Sequence, residues 1–322
     1  MIHMPIDIPA AFPIRKSKRQ KAAFRQDVQA YAESLGYPCT VERGKFGARN
    51  LIIGNPEKAK YLITAHYDTP AGMLLPNLIT PCNPVTYILW QIFVIGLFLL
   101  ISVGIGAAVG IGLQDEHIAG TAALAVYWIL LLTMMFGPAN RHNANDNTSG
   151  VVAVLEIARV LPELHRDKVC FVLFDLEEAG LIGSASYRKM HKNATDSQIV
   201  MNLDCVGDGD HIIFFPTKKA KSNTQLMLDI KRIAGNYGQK HILLKENGFY
   251  TYPSDQKNFP VGFGIAALKK VKLVGYYCDR IHTPWDKNLD ETNINLLQAA
   301  LNTMICGSAN ESRKESDIYE TV

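Results

Sequence analysis

The sequence predicts a mixed α/β fold: a mainly parallel central sheet with helices on both faces, interrupted by an inserted two-helix apolar hairpin. Three observations carry this. Short apolar runs such as VCFVLFD at 169–175 alternate with stretches of helical period, the pattern of parallel strands covered on both faces. The 322 residues suffice for one large domain or two small ones. Between Thr69 and Gln114 there is no Asp, Glu, Lys or Arg.

In chain order, Phe24, Val28, Tyr31 and Leu35 set a helical period over 19–35. Strands follow at 51–54 and 61–66. A helix over 148–161 ends at Pro162. Then come a buried strand at 169–175, a helix at 179–190, and strands at 199–204 and 211–215. A helix is expected over 223–237, short strands at 265–268 and 273–276, and a closing helix at 292–308. No internal repeat is present. Residues 313–322 read as a polar tail.

The apolar insertion has two runs. Residues 85–113 and 118–137 are uncharged and flank the polar break Gln114-Asp115-Glu116-His117. A bilayer core needs about 20 apolar residues in a helix, so both runs predict spans of a transmembrane hairpin. Ser102, Gly106 and Gly110, four residues apart, permit close helix approach. The turn carries two acids and no Lys or Arg. Lys58, Lys60, Arg141 and the basic cluster at 15–21 lie on the other side. That bias predicts an integral membrane protein with both termini and the main domain cytoplasmic. Arg141 and the basic cluster are expected to contact anionic lipid.

Composition excludes other classes. Lys and Arg number 33 against 30 Asp and Glu, and the five basic residues at 15–21 more than account for the +3 excess, which argues against nucleic acid as a partner. An apolar content of 48% excludes a disordered chain. The six cysteines form no C-x-x-C pair and read as buried free thiols. No basic stretch, apolar run and small-residue cleavage site open the chain, so no secretory signal is expected.

Sites in such sheets lie beyond the carboxyl ends of the strands. There the sequence places His66-Tyr67-Asp68, Glu177-Glu178 and Asp204. Asn145-Asp146-Asn147 precedes a helix, and His282 lies in a loop before Asp286. Two histidines with three or four carboxylates suit zinc or a related divalent ion. Taken singly, each has a plainer reading. Glu-Glu is a favourable helix start, Asp146 a helix cap, Asp204 a turn former, and His66 or His282 a satisfied hydrogen-bonding histidine. It is the joint arrangement, in this order and on these elements, that points to a metal site.

Together with NDNTSGVVAVLEIA at 145–158, FVLFDLEEAGLIGS at 171–184, MNLDCVG at 201–207, SDQKNF at 254–259 and IHTPWD at 281–286, these residues resemble the co-catalytic dizinc aminopeptidases. That family includes secreted bacterial leucine aminopeptidases, aminopeptidase Y and glutamate carboxypeptidase. The resemblance implies a metal-dependent exopeptidase, most simply an aminopeptidase, acting on peptides, and the apolar hairpin would anchor it in the membrane. Asp146 would bridge two zinc ions. Glu178 and His282 would complete one site, and His66 and Asp204 the other. Glu177 would be the general base, and Asp68 would accept the second ring N–H of His66. Residues 1–72 and 138–312 would form one discontinuous catalytic domain around an insertion at 73–137.

The sequence departs from the family in three places. Asp68 and Asp146 are 78 positions apart because of the hairpin. Asn147 stands where the family often has a second Asp, and Gln256 where it commonly has His. Two alternatives stay open: a single-zinc acyltransferase of the glutaminyl-cyclase type, and a catalytically silent membrane receptor or scaffold. Phe249, Tyr250 and Tyr252 either line a substrate pocket or pack their loop. Oligomeric state and side-chain preference are left open.

Overall fold

The computed structural model describes residues 2–73 and 75–319, with side chains through 307. The tail expected at 313–322 therefore has no described side chains, and its last three residues lie outside the described ones. Seven helices of eight residues or more are described: α1 (Lys18–Ser34), α2 (Pro84–Leu113), α3 (Glu116–Phe136), α4 (Gly150–Val160), α5 (Ile182–Met190), α6 (Thr224–Ile233) and α7 (Glu291–Tyr319). The strands are β1 (Cys39–Arg43), β2 (Arg49–Ile53), β3 (Tyr61–His66), β4 (Val169–Phe174), β5 (Ile199–Leu203), β6 (His211–Pro216), β7 (Gly235–Tyr237), β8 (Lys240–Leu244), β9 (Gly262–Val271) and β10 (Gly275–Tyr277).

The sheet runs β1-β2-β4-β3-β5-β9-β6-β8-β7, with β10 beside β9. Its centre, β4-β3-β5-β9, is parallel; the flanking pairs are antiparallel except for β6–β8, which is parallel. Side chains alternate between the two faces. Leu51, Ile53, Phe171 and Leu173 join a large core with Phe24 of α1, Val154 of α4, Ile230 of α6 and Leu297 of α7. Their neighbours Ile52, Cys170, Val172 and Phe174 join a smaller core with Tyr187 of α5. Burial on both faces is why β4 carries no polar residue.

The expected helix over 223–237 stops at Ile233. Gly235–Tyr237 instead pairs with β8 across a turn at Gly238, whose φ is +65°. Strands β1, β7 and β8 were not expected from the sequence. They lie at the sheet margins and carry polar and half-exposed residues, so their apolar signal is weak.

Helices α2 and α3 are long and apolar enough to cross a membrane. They pack along the small-residue stripe: Ser102, Gly106 and Gly110 are buried. A Cβ on Gly106 would stand 2.6 Å from the Ala119 carbonyl oxygen, and one on Gly110 2.5 Å from Ala119 Cβ. The base of the hairpin is pinned by Gly72 N–H donating to Pro138 O (2.8 Å) and Asn140 N–H to Pro70 O (2.9 Å). Residues 75–83 belong to neither helix. Ile79 exchanges backbone hydrogen bonds with Cys278 (2.8 and 3.0 Å), so this connector lies along the main domain.

The basic cluster at 15–21 is only partly a surface feature. Arg15 is fully buried, and Lys21 pairs with Asp175 at 2.6 Å. The reason is local packing: Arg15 is wrapped by oxygens of Phe12, Tyr67, Asn143 and Thr148.

Candidate active site

Parallel β3, β4 and β5 end together, and their following residues meet above the sheet. β3 delivers His66 and Asp68, β4 leads to Glu177 and Glu178, and β5 to Asp204. Asp146 comes from the irregular turn before α4, and His282 from the loop after β10. Leu176, Cys205 and His282 hold left-handed φ values of 57°, 58° and 63°, so all three loops bend sharply beside the cluster.

The turn carrying Asp146 is heavily tied. The Asp286 carboxylate accepts from the backbone N–H groups of Asn145 (2.7 Å) and Asp146 (3.0 Å). Asn147 donates through its amide to Leu203 O (2.9 Å) and accepts from Gly150 N (3.0 Å) and Cys205 N (3.2 Å). An ionised aspartate has no hydrogen to donate to Leu203 O, so the asparagine here has a structural use. On the far side, the Arg15 guanidinium donates to Tyr67 O (2.6 Å), Asn143 Oδ1 (3.2 Å) and Thr148 Oγ1 (2.9 Å).

The candidate ligands His66, Asp146, Glu178, Asp204 and His282, the candidate base Glu177, and Asp68 converge. The two carboxylate oxygens of Asp146 point in different directions. Oδ1 is 3.2 Å from His66 Nε2, and Oδ2 is 2.9 Å from His282 Nε2. Asp204 Oδ1 is 3.7 Å from His66 Nε2, and Glu178 Oε2 is 3.5 Å from His282 Nε2. His66, Asp146 and Asp204 thus form one group with ligand atoms within 4.8 Å, and Asp146, Glu178 and His282 another. Glu177 stands with His66 and Glu178 in a third. Asp68 Oδ1 lies 3.5 Å from His66 Nδ1, while its two oxygens accept the backbone N–H groups of Glu177 (3.0 Å) and Glu178 (3.3 Å).

Two residues were missed from the sequence. Asp286 was noted there only as a neighbour. Asp255 is fully buried, is bonded to Ser184 and faces the cluster. Both lie in segments that carry the resemblance, SDQKNF at 254–259 and IHTPWD at 281–286, but neither follows a strand end closely as Asp68, Glu177, Glu178 and Asp204 do. Gln256 has no part in the cluster: it accepts from Asn202 (3.2 Å) and donates to Tyr252 O (2.7 Å).

Acid outweighs base in this cluster. Burial pushes the Glu177 carboxyl well above its ordinary range, and Glu178, Asp255 and Asp204 push it further against the pull of His66. Burial also raises Glu178, and Asp146 adds to it. Burial brings Asp255 up to about 7 and Asp286 up to about 8. Burial raises Asp146 too, but hydrogen bonds from His282 and His66 hold it well below the usual carboxylate range. Buried Glu178 Oε1 and His66 Nδ1 have no hydrogen-bond partner. Crowded oxygens, imidazoles and unpaired buried atoms suit divalent cations of the zinc type.

The cluster opens into a cavity of about 180 Å³. Its opposite wall is Asn77 and Ile79 from the connector, with Tyr252, Pro253, Cys278 and Ile281. Tyr252 both lines the cavity and packs its loop, stacking on Phe215 at 5.5 Å and donating to Asp204 O at 2.9 Å. A larger cavity of about 470 Å³ lies beyond Tyr252, with Lys218, Lys221 and Tyr250 in its wall, but none of the acid cluster reaches it.

The sequence pattern of peptidase family M28 matches residues 132–305, which include Asp146, Glu177, Glu178, Asp204 and His282. The chain belongs to peptidase family M28. M28 peptidases typically bind zinc. Over 67 residues this M28 chain is 45% identical to aminopeptidase YwaD of Bacillus subtilis, a stretch covering 20% of this chain and 15% of that relative. Its fold is shared with Porphyromonas gingivalis glutaminyl cyclase (TM-score 0.57, 18% identity, 92% of each chain). It is shared equally with the Legionella pneumophila LapA aminopeptidase (TM-score 0.55, 15% identity, 94% of this chain and 68% of that one).

Proposed function

We propose that this M28 peptidase is a membrane-anchored aminopeptidase that holds two zinc ions. The observation that carries the reading is the opposed placement of the Asp146 oxygens, each directed at a different histidine. His66 and Asp204 would hold one ion, Glu178 and His282 the other, and Asp146 both. When bound, such a pair would supply an acidified water and a polarised scissile carbonyl.

The chain's own residues do the rest. Glu177 is the one acid of the adjacent pair left outside both ligand sets. Burial among other carboxylates raises its affinity for a proton, as suits a general base. It takes the proton of the attacking water and returns it to the leaving amine. Asp68 fixes Glu177 and Glu178 by gripping both of their backbone N–H groups. Asp286 and Arg15 hold the turn that aims Asp146.

Residues 1–72 and 138–312 act as one domain, with 73–137 as its insertion. The exposed apolar faces of α2 and α3, including Leu100, Ile111 and Phe136, support anchoring in a bilayer. The charge bias favours a cytoplasmic catalytic domain. Gly137 and Asp146 are nine residues apart, at most about 30 Å of extended chain, so the cluster stays near the membrane.

The test is a peptide panel with free and blocked termini. Release of the first residue only from peptides with a free N-terminus supports the reading. Cyclisation of N-terminal glutamine without hydrolysis, or no turnover by zinc-loaded protein, contradicts it.

A further inference from the structure

We propose that the catalytic domain itself rests on an anionic bilayer surface, through three apolar tips around the base of the hairpin: Leu273, Phe249 and Trp285. The inference builds on the membrane reading and adds a second contact, separate from the spans.

Leu273 is 90% exposed, Phe249 65% and Trp285 54%. Each sits a residue or two from a hydrogen bond to chain that leads into or out of the hairpin. Val274 O accepts from Asn83 Nδ2 at 3.2 Å, and Asn83 caps the first turn of α2. Thr251 N–H donates to Pro81 O at 2.9 Å. Asn140, three residues past Gly137, donates to Thr283 O at 2.9 Å. Three separate loops that carry exposed apolar side chains are thus tied to the chain where the spans begin and end.

Their chemistry fits that level. Leu273 occupies the tip of the β9–β10 turn, a place where polar or small residues are favoured in water. Val271 beside it is 42% exposed. Lys270 and Lys272 immediately precede the tip on its β9 side, and among the described residues neither is paired with an acid; Lys270 lies over the Tyr276 ring. An apolar tip beside two lysines without acidic partners matches an interface with acyl chains below and anionic headgroups around it. Tryptophan is enriched at the same depth.

The contact has a functional consequence. The connector between Gly72 and α2 supplies Asn77 and Ile79 to the cavity wall, and Met73 N–H donates to His282 O at 2.6 Å. A domain seated on these tips holds its cavity beside the headgroups. The substrates favoured are then short peptides at the surface or chain ends emerging from the bilayer.

The experiment uses the full chain in vesicles, with Cys39, Cys82 and Cys306 changed to Ser. The three remaining cysteines are at most 2% exposed. A nitroxide is attached through Leu273→Cys, and separately through Leu100→Cys in the hairpin and Leu164→Cys in the turn that leads into β4. Collisions with oxygen, which enters lipid, are compared with collisions with a water-soluble nickel chelate. The proposal expects oxygen to dominate at 273 and at 100, and nickel at 164. Phosphatidylglycerol added to phosphatidylcholine deepens the label at 273, and Lys270→Glu with Lys272→Glu removes that gain. Nickel access at 273 with lipid contact at 100 overturns the inference and leaves the hairpin intact. Nickel access at both positions overturns the membrane reading together with it. Spin–spin broadening at 273 that vanishes on dilution with unlabelled chain places a second copy on the tip and also overturns it.

Discussion

Asp68 Oδ1 accepts the backbone N–H of Glu177 at 3.0 Å, and Oδ2 of the same carboxylate accepts that of Glu178 at 3.3 Å. A residue two positions after His66 therefore sets the position of two acids more than 100 residues away. Asp68→Asn keeps one acceptor oxygen and turns the other towards donation, so one of these bonds is lost. Activity should fall by about 10–100-fold, the usual effect of a residue that orients ligands. Steady-state hydrolysis together with zinc content checks this; unchanged turnover would remove Asp68 from the account.

Glu177→Gln should retain its metals and lose turnover by about 10²–10⁴-fold, because an amide does not accept the proton of water at neutral pH. The check is activity per bound zinc. Loss of metal with near-normal activity per zinc would mean that the roles of Glu177 and Glu178 are exchanged.

Arg15 is fully buried, and burial lowers its guanidinium to about 10, against the pull of Asp68 and Asp146. Arg15→Met strips donors from four buried or part-buried oxygens. Each buried acceptor left alone costs about 1–3 kcal/mol. The urea midpoint in detergent should fall markedly, and Arg15→Lys should recover only part of it. A midpoint equal to that of the native chain would contradict this role.

His191 sits between Glu57 and Glu42, with 2.7 Å at each ring nitrogen. Burial opposes its charge, but hydrogen bonds to Glu57 and Glu42 outweigh burial and raise its pKa. A raised folded pKa stabilises the protein fully below the unfolded value of about 6.5 and ceases to do so as pH rises through the folded value. His191→Gln should therefore lower the melting temperature most in mildly acidic buffer and least in alkaline buffer. Melting curves across pH test the sign; a larger loss at high pH would refute it.

The parts of the fold legible in the sequence are those where one strong force acts. VCFVLF at 169–174 reads as a central strand because burial on both faces removes every polar option. The uncharged runs of α2 and α3 are legible for the same reason. Strands β1, β7 and β8 are not, since Glu42, Asn236 and His241 fit a strand as well as a loop. Within the site, the residues beyond strand ends stand out because three such ends carry acids or imidazoles. Arg15, Asp255 and Asp286 do not. Their partners lie 71 to 141 positions away, in Thr148 for Arg15, Ser184 for Asp255 and Asn145 for Asp286. Only the assembled tertiary structure supplies them.

The central claim is a two-metal site organised around Asp146, and zinc content by mass spectrometry tests it most directly. Native chain and Asp146→Ala are dialysed against the same zinc buffer and counted per folded chain. The account predicts two zinc ions in the native chain and loss of both in Asp146→Ala, since that carboxylate serves both sites. Full zinc content in Asp146→Ala, or a single ion in the native chain, would contradict it.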